Sequence, residues 1–567
     1  MAGRGFAVVL GVASLGVALA AIQNPPAQGG RQGGPPQAAA PQGGGGGTIP
    51  APARGPNDGL GPFNRLVIRN VMVIDGTGAP PAGPMNVIVS NNRITGIQAA
   101  GTPGVPPRQG GAGAAGRGGR GGGQASDHEI DGTGMYLMPG FVDLHVHAGG
   151  PPKNPELSYA YKLWLAHGVT TVRGVSLTNN PMAANEKARS EKNEIVAPRI
   201  YNYQRPGGMN SADSARAWVR QNANTIDGLK LGAHEPEVMA AVIDEAHKHG
   251  LGTTAHLQQS GVAQMNAIDA ARVGLDTVTH FYGHFESLLK DYVVQPWPVD
   301  INANDEQHRF GQVARLWDKI HPPGSREWKA YLEEHKKLGT VFDPTMTIYS
   351  AGRDVMRMRN ADWHDKYTLP SLMEYYSPSR VNHGSYWYDW TLDDEIAWRN
   401  FYQVWFKLVN DYKKMGGRVT TGSDSGFIYQ TYGFGYVLEL EMLQEAGFHP
   451  LEVIQAATMN GALTLNEWTR GTGGAVVPNK AIEFGVVKTG MLADMVMVDQ
   501  NPLQNFKVLY GTGHYRLNEK TQRAEFVGGI KYTIKDGIVY DAKKLLEDVA
   551  AMVDKQKRER VTPASGR

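Results

Sequence analysis

The sequence predicts an α/β protein: a (β/α)8 TIM barrel with a small discontinuous β-sandwich domain made from both chain ends. Three observations predict it. Short apolar segments alternate with helical stretches through residues 137–480, the pattern of βα units that close into a barrel. Segments that alternate apolar and polar residues stand at both ends of the chain, the period of half-buried strands. The length of 567 residues exceeds one small domain and fits a barrel plus a module.

In chain order, residues 1–20 read as a secretory signal peptide. Arg4 gives a positive start, an apolar small-residue run follows over 6–20, and Ala18-Leu19-Ala20 offers an A-x-A cleavage site. The alternative is an uncleaved anchor. The expectation is an exported protein, periplasmic or secreted, with no membrane span left after cleavage. Residues 21–62 are rich in Pro, Gly, Gln and Ala and read as a flexible linker, because such a tract buries too little apolar surface to offset its ordering entropy. Residues 65–75 (RLVIRNVMVID) and 85–98 read as strands with a turn at 80–84. Residues 101–124 form a Gly-rich tract with Arg-Gly-Gly units at Arg117 and Arg120; lacking aromatics, it reads as a solvated loop.

The β-texture returns at 494–499 (DMVMVD), 524–531 and 531–541 (KYTIKDGIVYD). The expected sandwich therefore combines 63–136 with 481–545; from about Lys543 the chain reads as a charged helix and a frayed tail, with 546–567 left as the C-terminal tail. Within the barrel, strands are expected at 140–147, 168–175, 199–204, 228–231, 252–257, 276–282, 340–348 and 418–423. The connections after the sixth and seventh strands are long and would cover the barrel mouth. Their aromatics, among them Trp363, Tyr375, Tyr376, Trp387 and Trp390, read as packing.

Composition narrows the function. A 41% share of hydrophobic residues supports a sizeable core. With 56 Lys+Arg against 54 Asp+Glu, the net charge of +2 does not fit a nucleic-acid binder. The chain has no cysteine, which excludes disulfide scaffolds, thiolate zinc sites, iron–sulfur clusters and cysteine nucleophiles. A metal would have to be held by His, Asp, Glu or a lysine-derived group.

Such groups recur at the ends of the expected strands. In Phe141-Val-Asp-Leu-His-Val-His147 alternate residues share a face, so Asp143, His145 and His147 point one way. The two histidines stand at the C-terminal end of a barrel strand, where barrel enzymes carry their sites. A second H-x-H, His247-Lys-His249, lies in a helical stretch where residues two apart do not face each other, and reads as a decoy. Lys230, His256 and His280 then close three successive strands, and Asp424 follows the last. Singly each has a structural reading: a salt-bridged lysine, a core histidine, a helix N-cap. Together, six at strand ends of one barrel read as a metal site.

These motifs resemble the amidohydrolase superfamily, and within it the imidazolonepropionase-like and metal-dependent dipeptidase group. The resemblance spans about 63–545. It includes Met138-Pro-Gly-Phe-Val-Asp-Leu-His-Val-His147 and Lys488-Thr-Gly-Met-Leu-Ala-Asp-Met-Val-Met-Val-Asp499. It implies two divalent metal ions. His145, His147 and Asp424 would bind the first, His256 and His280 the second, and a CO2-derived carbamate on Lys230 would bridge them. That donor set suits zinc, with Mn, Co or Fe as alternatives. Two such ions would activate a water and polarise a scissile carbonyl, with Asp424 as the catalytic proton carrier. Deaminases of the superfamily carry His-x-x-Glu after the fifth strand; here the segment is His256-Leu-Gln-Gln259, without that acid.

The expected activity is hydrolysis of a C–N bond in a small peptide, N-acyl amino acid or cyclic amide. The alternatives are a lactone, ester or phosphotriester hydrolase on the same centre, and a mononuclear imidazolonepropionase-like hydrolase. Arg173 and Arg205 are candidates to clamp a substrate carboxylate. Tyr282 and His284 are candidate donors to a tetrahedral intermediate. Pro344, Thr345 and Tyr349 read as shaping the barrel mouth. The expected partner is a small-molecule or short-peptide substrate, and a homo-oligomer is left open.

Overall fold

The computed structural model describes residues 47–101, 126–466, 469–470, 476–477 and 481–561. Seven parallel strands pair in the order in which the chain makes them: β6 (Phe141–Val146), β7 (Val169–Val175), β8 (Arg199–Gln204), β9 (Gly228–Leu231), β10 (Gly252–Ala255), β11 (Thr277–Thr279) and β12 (Val341–Asp343). Residues 418–424 close the ring. Phe342 N donates to Arg418 O and Thr420 N to Phe342 O on one side; Leu144 N donates to Thr421 O and Asp424 N to His145 O on the other. This eighth segment joins the last strand to the first, so the end that carries Asp424 meets the one that carries His145 and His147.

The strands are shorter than expected at their C-terminal ends. β12 stops at Asp343 rather than running to 348. Pro344 has no N–H for the ladder, Thr345 turns into the left-handed region at φ 50°, and Met346–Tyr349 coils into a 3-10 turn. β10 and β11 likewise end one residue before His256 and His280. The six candidate ligands are therefore carried at or just beyond strand ends, where side chains can converge.

The long connections behave as covers. The excursion after β12 ends in the helix Leu392–Lys414, which buries Trp398, Phe401, Tyr402, Trp405, Val409 and Tyr412 at helical spacing against the barrel. Truncating any one of its aromatics should cost about 3–5 kcal/mol.

Strands from both chain ends share one eight-stranded mixed sheet. β1 (Leu66–Val73), β2 (Ala82–Ser90), β3 (Arg93–Ala99), β4 (His128–Asp131) and β5 (Tyr136–Pro139) come from the N-terminal side; β15 (Met495–Val498), β18 (Ile530–Lys535) and β19 (Ile538–Asp541) come from the C-terminal side. The order is β19-β18-β15-β5-β1-β2-β3, with β4 on β1. All these strands contribute to one core, which includes Leu66, Ile68, Val87, Ile94, Ile130, Leu137, Met495, Ile534 and Val539. The stretch expected as 85–98 is a hairpin, turned at Asn91 with φ 55°. The stretch 531–541 turns at Asp536-Gly537, both with positive φ, the backbone that Asp-Gly favours. Two short hairpins, β13 (Thr469–Arg470) with β14 (Val476–Val477) and β16 (His514–Asn518) with β17 (Arg523–Val527), are separate sheets. Arg199 on β8 reaches Asp494 at 2.9 Å and Asp536 at 2.7 Å, tying the barrel to the sheet.

Two expectations at the flanks are corrected. Residues 48–60, read as flexible linker, run along the barrel and sheet: Ile49 N donates to Pro155 O, Arg54 N to Glu194 O and Leu60 N to Val539 O, and Ala51 is buried. Their prolines hold an extended backbone whose polar groups find partners on neighbouring edges. The charged helix expected from about 543 is present as Ala542–Val561, but residues from 546 are no frayed tail, because this helix buries Leu545, Leu546, Val549 and Val553. The expected signal peptide, the linker to residue 46 and nearly all of the Gly-rich tract lie outside the described residues. No described helix is long and apolar enough to cross a membrane.

Candidate metal centre

The strand ends bring the six groups to one place. The Nζ of Lys230, the only polar side chain on β9, stands 3.2 Å from His145 Nε2 and 3.0 Å from His147 Nε2. Asp424 faces the histidines with both oxygens. Oδ1 is 3.7 Å from His145 Nε2 and 3.5 Å from His147 Nε2, and Oδ2 is 3.7 Å from His280 Nε2. The His280 ring lies 4.8 Å from that of His145 and 4.6 Å from that of His256. Asp424 thus spans the two histidine sets that the sequence separates.

Burial makes this arrangement demanding. His145, Lys230, His280 and Asp424 are all buried. His280 Nε2, His145 Nδ1 and Asp424 Oδ1 have no hydrogen-bond partner among the described residues. Orphaned buried polar atoms are costly unless something satisfies them. The three His–Asp separations are long for hydrogen bonds, yet close to the roughly 3.4 Å edge of a tetrahedron of N/O ligands around a zinc-sized ion. His145, His280 and Asp424 each offer an atom within 4.8 Å of the others.

Electrostatics agrees with the geometry. Burial, helped by the nearby Lys230 charge, pushes His145, His147, His256 and His280 well below the usual histidine range, so the imidazoles are neutral and carry lone pairs. Burial pushes Lys230 down to about 7 against the opposing pull of Asp424, and pushes Asp424 up to about 6 against the pull of Lys230.

Local structure holds the groups in place. Asp143 Oδ1 accepts from His145 N and Ser423 N, and its Oδ2 accepts from Ser423 Oγ, which locks β6 to the eighth segment. A side chain at Gly422 would put its Cβ 2.8 Å from His145 Cβ and from Asp343 Oδ1, so the motif needs glycine there. His280, Thr345 and Asp424 all have left-handed φ, at 67°, 50° and 49°. Such strain in non-glycine residues gathers where function over-determines the backbone.

No family model matches the chain. Over 134 residues it is 28% identical to a dihydroorotase of Thermus aquaticus, covering 23% of this chain and 25% of that protein. Over 173 residues it is 24% identical to an enamidase of Eubacterium barkeri, covering 27% and 45%. The chain therefore spans less than half the length of these curated relatives. The fold is shared more widely. A solved Xaa-Pro dipeptidase with bound methionine in its active site is 18% identical, with a TM-score of 0.52 over 84% of this chain and 100% of its own. Bottromycin amidohydrolase is 17% identical, with a TM-score of 0.57 over 87% and 91%. The chain shares its fold with these two solved structures.

The remaining candidates divide within this barrel. Arg173 is corrected from substrate clamp to barrel core. Its guanidinium donates to Leu144 O at 2.6 Å, to Asp343 Oδ2 at 3.0 Å, and to Thr254 and Thr277, which leaves no fork for a substrate. His284 is corrected as well. The chain turns at Gly283 in the left-handed region, and His284 points outward to bond Tyr331 OH at 2.6 Å and pack on Phe342. Tyr282 lies against the centre, stacked on His256 with ring centroids 4.5 Å apart, and its oxygen accepts from Tyr349 OH at 2.7 Å. Arg205 is exposed beyond β8, and its positive charge is felt at His147, Lys230 and His256. His247 and His249 go to separate acids, Asp276 and Glu245, away from the centre.

Sequence reasoning missed Lys153 altogether and read Thr345 only as shaping the barrel mouth, not as a partner of His280. Thr345 Oγ1 bonds His280 Nδ1 and so orients that ring. Lys153, in the loop after β6, is buried with its charge felt at His147 and Asp424. Neither belongs to a spacing pattern; only the left-handed turn after Asp343-Pro344 and a lysine following Gly149-Gly150 were there to be noticed.

Proposed function

We propose that the protein is a metal-dependent amidohydrolase that cleaves C–N bonds of small peptides or N-acyl amino acids, using two divalent ions, most simply zinc, held by His145, His147, His256, His280, Asp424 and a carbamate on Lys230. The reading is carried by the convergence of six strand-end groups, three of which, His145, His280 and Asp424, each bring a buried atom without a partner among the described residues. An amine held near neutrality by burial is the form that adds CO2, which supports the carbamate. The export reading rests on the apolar run over 6–20 with its A-x-A site.

When bound, such ions supply Lewis-acid polarisation of a carbonyl and a lower pKa for water. The protein's own groups do the rest. Asp424, pushed up to about 6, accepts a proton at its carboxylate and returns it to the leaving nitrogen. Tyr282 accepts from Tyr349, so its own proton remains to be donated to the substrate oxygen as negative charge develops there. Burial keeps that phenol protonated. The neutral histidines hold their lone pairs inward.

The test is metal content by elemental analysis together with turnover of three panels: dipeptides and N-acyl amino acids, anilides, and esters or lactones. Two ions per chain with amide turnover supports the reading. Turnover confined to oxygen leaving groups would move it to the ester and lactone alternative, and one ion per chain to a mononuclear hydrolase. Absence of metal after growth with zinc and bicarbonate would sink it.

A further inference from the structure

Lys153 is buried, with 9% of its surface exposed. Lysines are almost never so buried without a paired charge, yet its Nζ makes no ion pair or hydrogen bond among the described residues. Instead it stands 2.9 Å from the centre of the Phe427 ring and 4.7 Å from that of Tyr375. The same Phe427 ring meets the edge of His147, with centroids 5.8 Å apart. A lysine amine and a candidate metal ligand therefore share one aromatic wall at the barrel mouth.

The loop that presents this lysine is held firmly. Lys153 N donates to Gly150 O, Ser371 Oγ donates to Lys153 O at 2.5 Å, and Asn154 Nδ2 donates to Ala148 O at 2.7 Å. Gly149 has φ 88°, and a Cβ there would strike Asn154 Oδ1. The amine is pre-positioned against the two rings, so little side-chain entropy remains to be lost on binding.

We propose that Lys153 is the receptor for a carboxylate on the substrate, so that the centre favours amides bearing a free acid next to an apolar group that packs on Phe427 and Tyr375. The inference rests on the amide-hydrolase reading for its substrate class. Burial pushes the lysine well below its ordinary range, and an arriving carboxylate would remove that penalty. Asp424 attracts it too, but a carboxylate turned toward the histidines is not available as its partner.

The test is calorimetric binding of N-acetylphenylalanine and of its neutral amide to the as-isolated full chain. Wild type should bind the acid at least tenfold more tightly than the amide. Lys153→Met should bring the two within twofold, and Lys153→Arg should restore part of the difference, with thermal melting checking that each variant is folded. Discrimination that survives in Lys153→Met, or is lost instead in Arg205→Gln, overturns the proposal; so does a wild type that binds neither compound or both equally. Binding does not require turnover. Acid preference without hydrolysis of any amide would sink the proposed activity and leave the subsite, whereas amide hydrolysis without acid preference would do the reverse.

Discussion

Lys230 Nζ stands 3.0 Å from His147 Nε2, inside the cluster rather than beside it. An ammonium so placed would face four imidazoles in a buried pocket with Asp424 as its one opposing charge. It would also block the lone pair of a neutral histidine from any ion. Burial already drives this lysine toward the neutral amine, and conversion to an anion would turn an obstacle into a ligand. Lys230→Ala should therefore lower metal content from two ions per chain to one or none by elemental analysis. Unchanged content would remove Lys230 from the centre.

Asp424 is the one group that addresses both histidine sets, through different oxygens. Replacing it with Asn keeps one oxygen and the shape but removes the proposed proton carrier. Asp424→Asn should reduce kcat by about 10²–10⁴-fold, the usual worth of general acid–base catalysis. KM should change little. A loss confined to KM would assign Asp424 to binding alone.

The barrel, and the placing of six candidate groups at its strand ends, were legible because strand periodicity and chain order are local signals. His145 and His147 share a face by alternation, and each companion closes an apolar run. Arg173 and His284 were misread for a common reason: being adjacent to a strand end does not reveal which side of the barrel wall a side chain takes. Arg173, within β7, points into the barrel to meet Asp343, 170 residues away, and His284 turns outward after a left-handed glycine. Lys153 was invisible because its setting is made by Phe427, from a distant loop, and Tyr375, from the distant helix Pro370–Tyr376. The packed stretch at 48–60 was hidden by its composition, which looks disordered but has edges to pair with.

Thr345 supplies the second contact of the His280 ring, through Nδ1, leaving Nε2 toward Asp424. Partners of this kind fix tautomer and ring angle, and losing one typically costs 10–100-fold in metal affinity or activity. Thr345→Val should weaken metal retention by about that factor in a chelator competition, whereas Thr345→Ser should retain wild-type affinity. Equal retention in Thr345→Val would make the contact incidental.

Glu439 gives a prediction that needs no substrate. It is fully buried on the helix Phe434–Glu445, where Oε2 accepts from Thr347 N at 2.7 Å and Oε1 has no partner among the described residues. Burial pushes its carboxyl up to about 8 from an ordinary 4.5. The folded state thus holds a proton that the unfolded state releases between those values. The stability from this group is fully present below about 4.5 and is lost as pH rises through about 8, at about 1.4 kcal/mol per pH unit between. Gln is the uncharged counterpart of the protonated acid. Glu439→Gln should leave stability near pH 5 within about 1 kcal/mol of wild type and should flatten its decline toward pH 8 in denaturant titrations. A variant with the same slope as wild type would show that Glu439 is ionised in the folded protein.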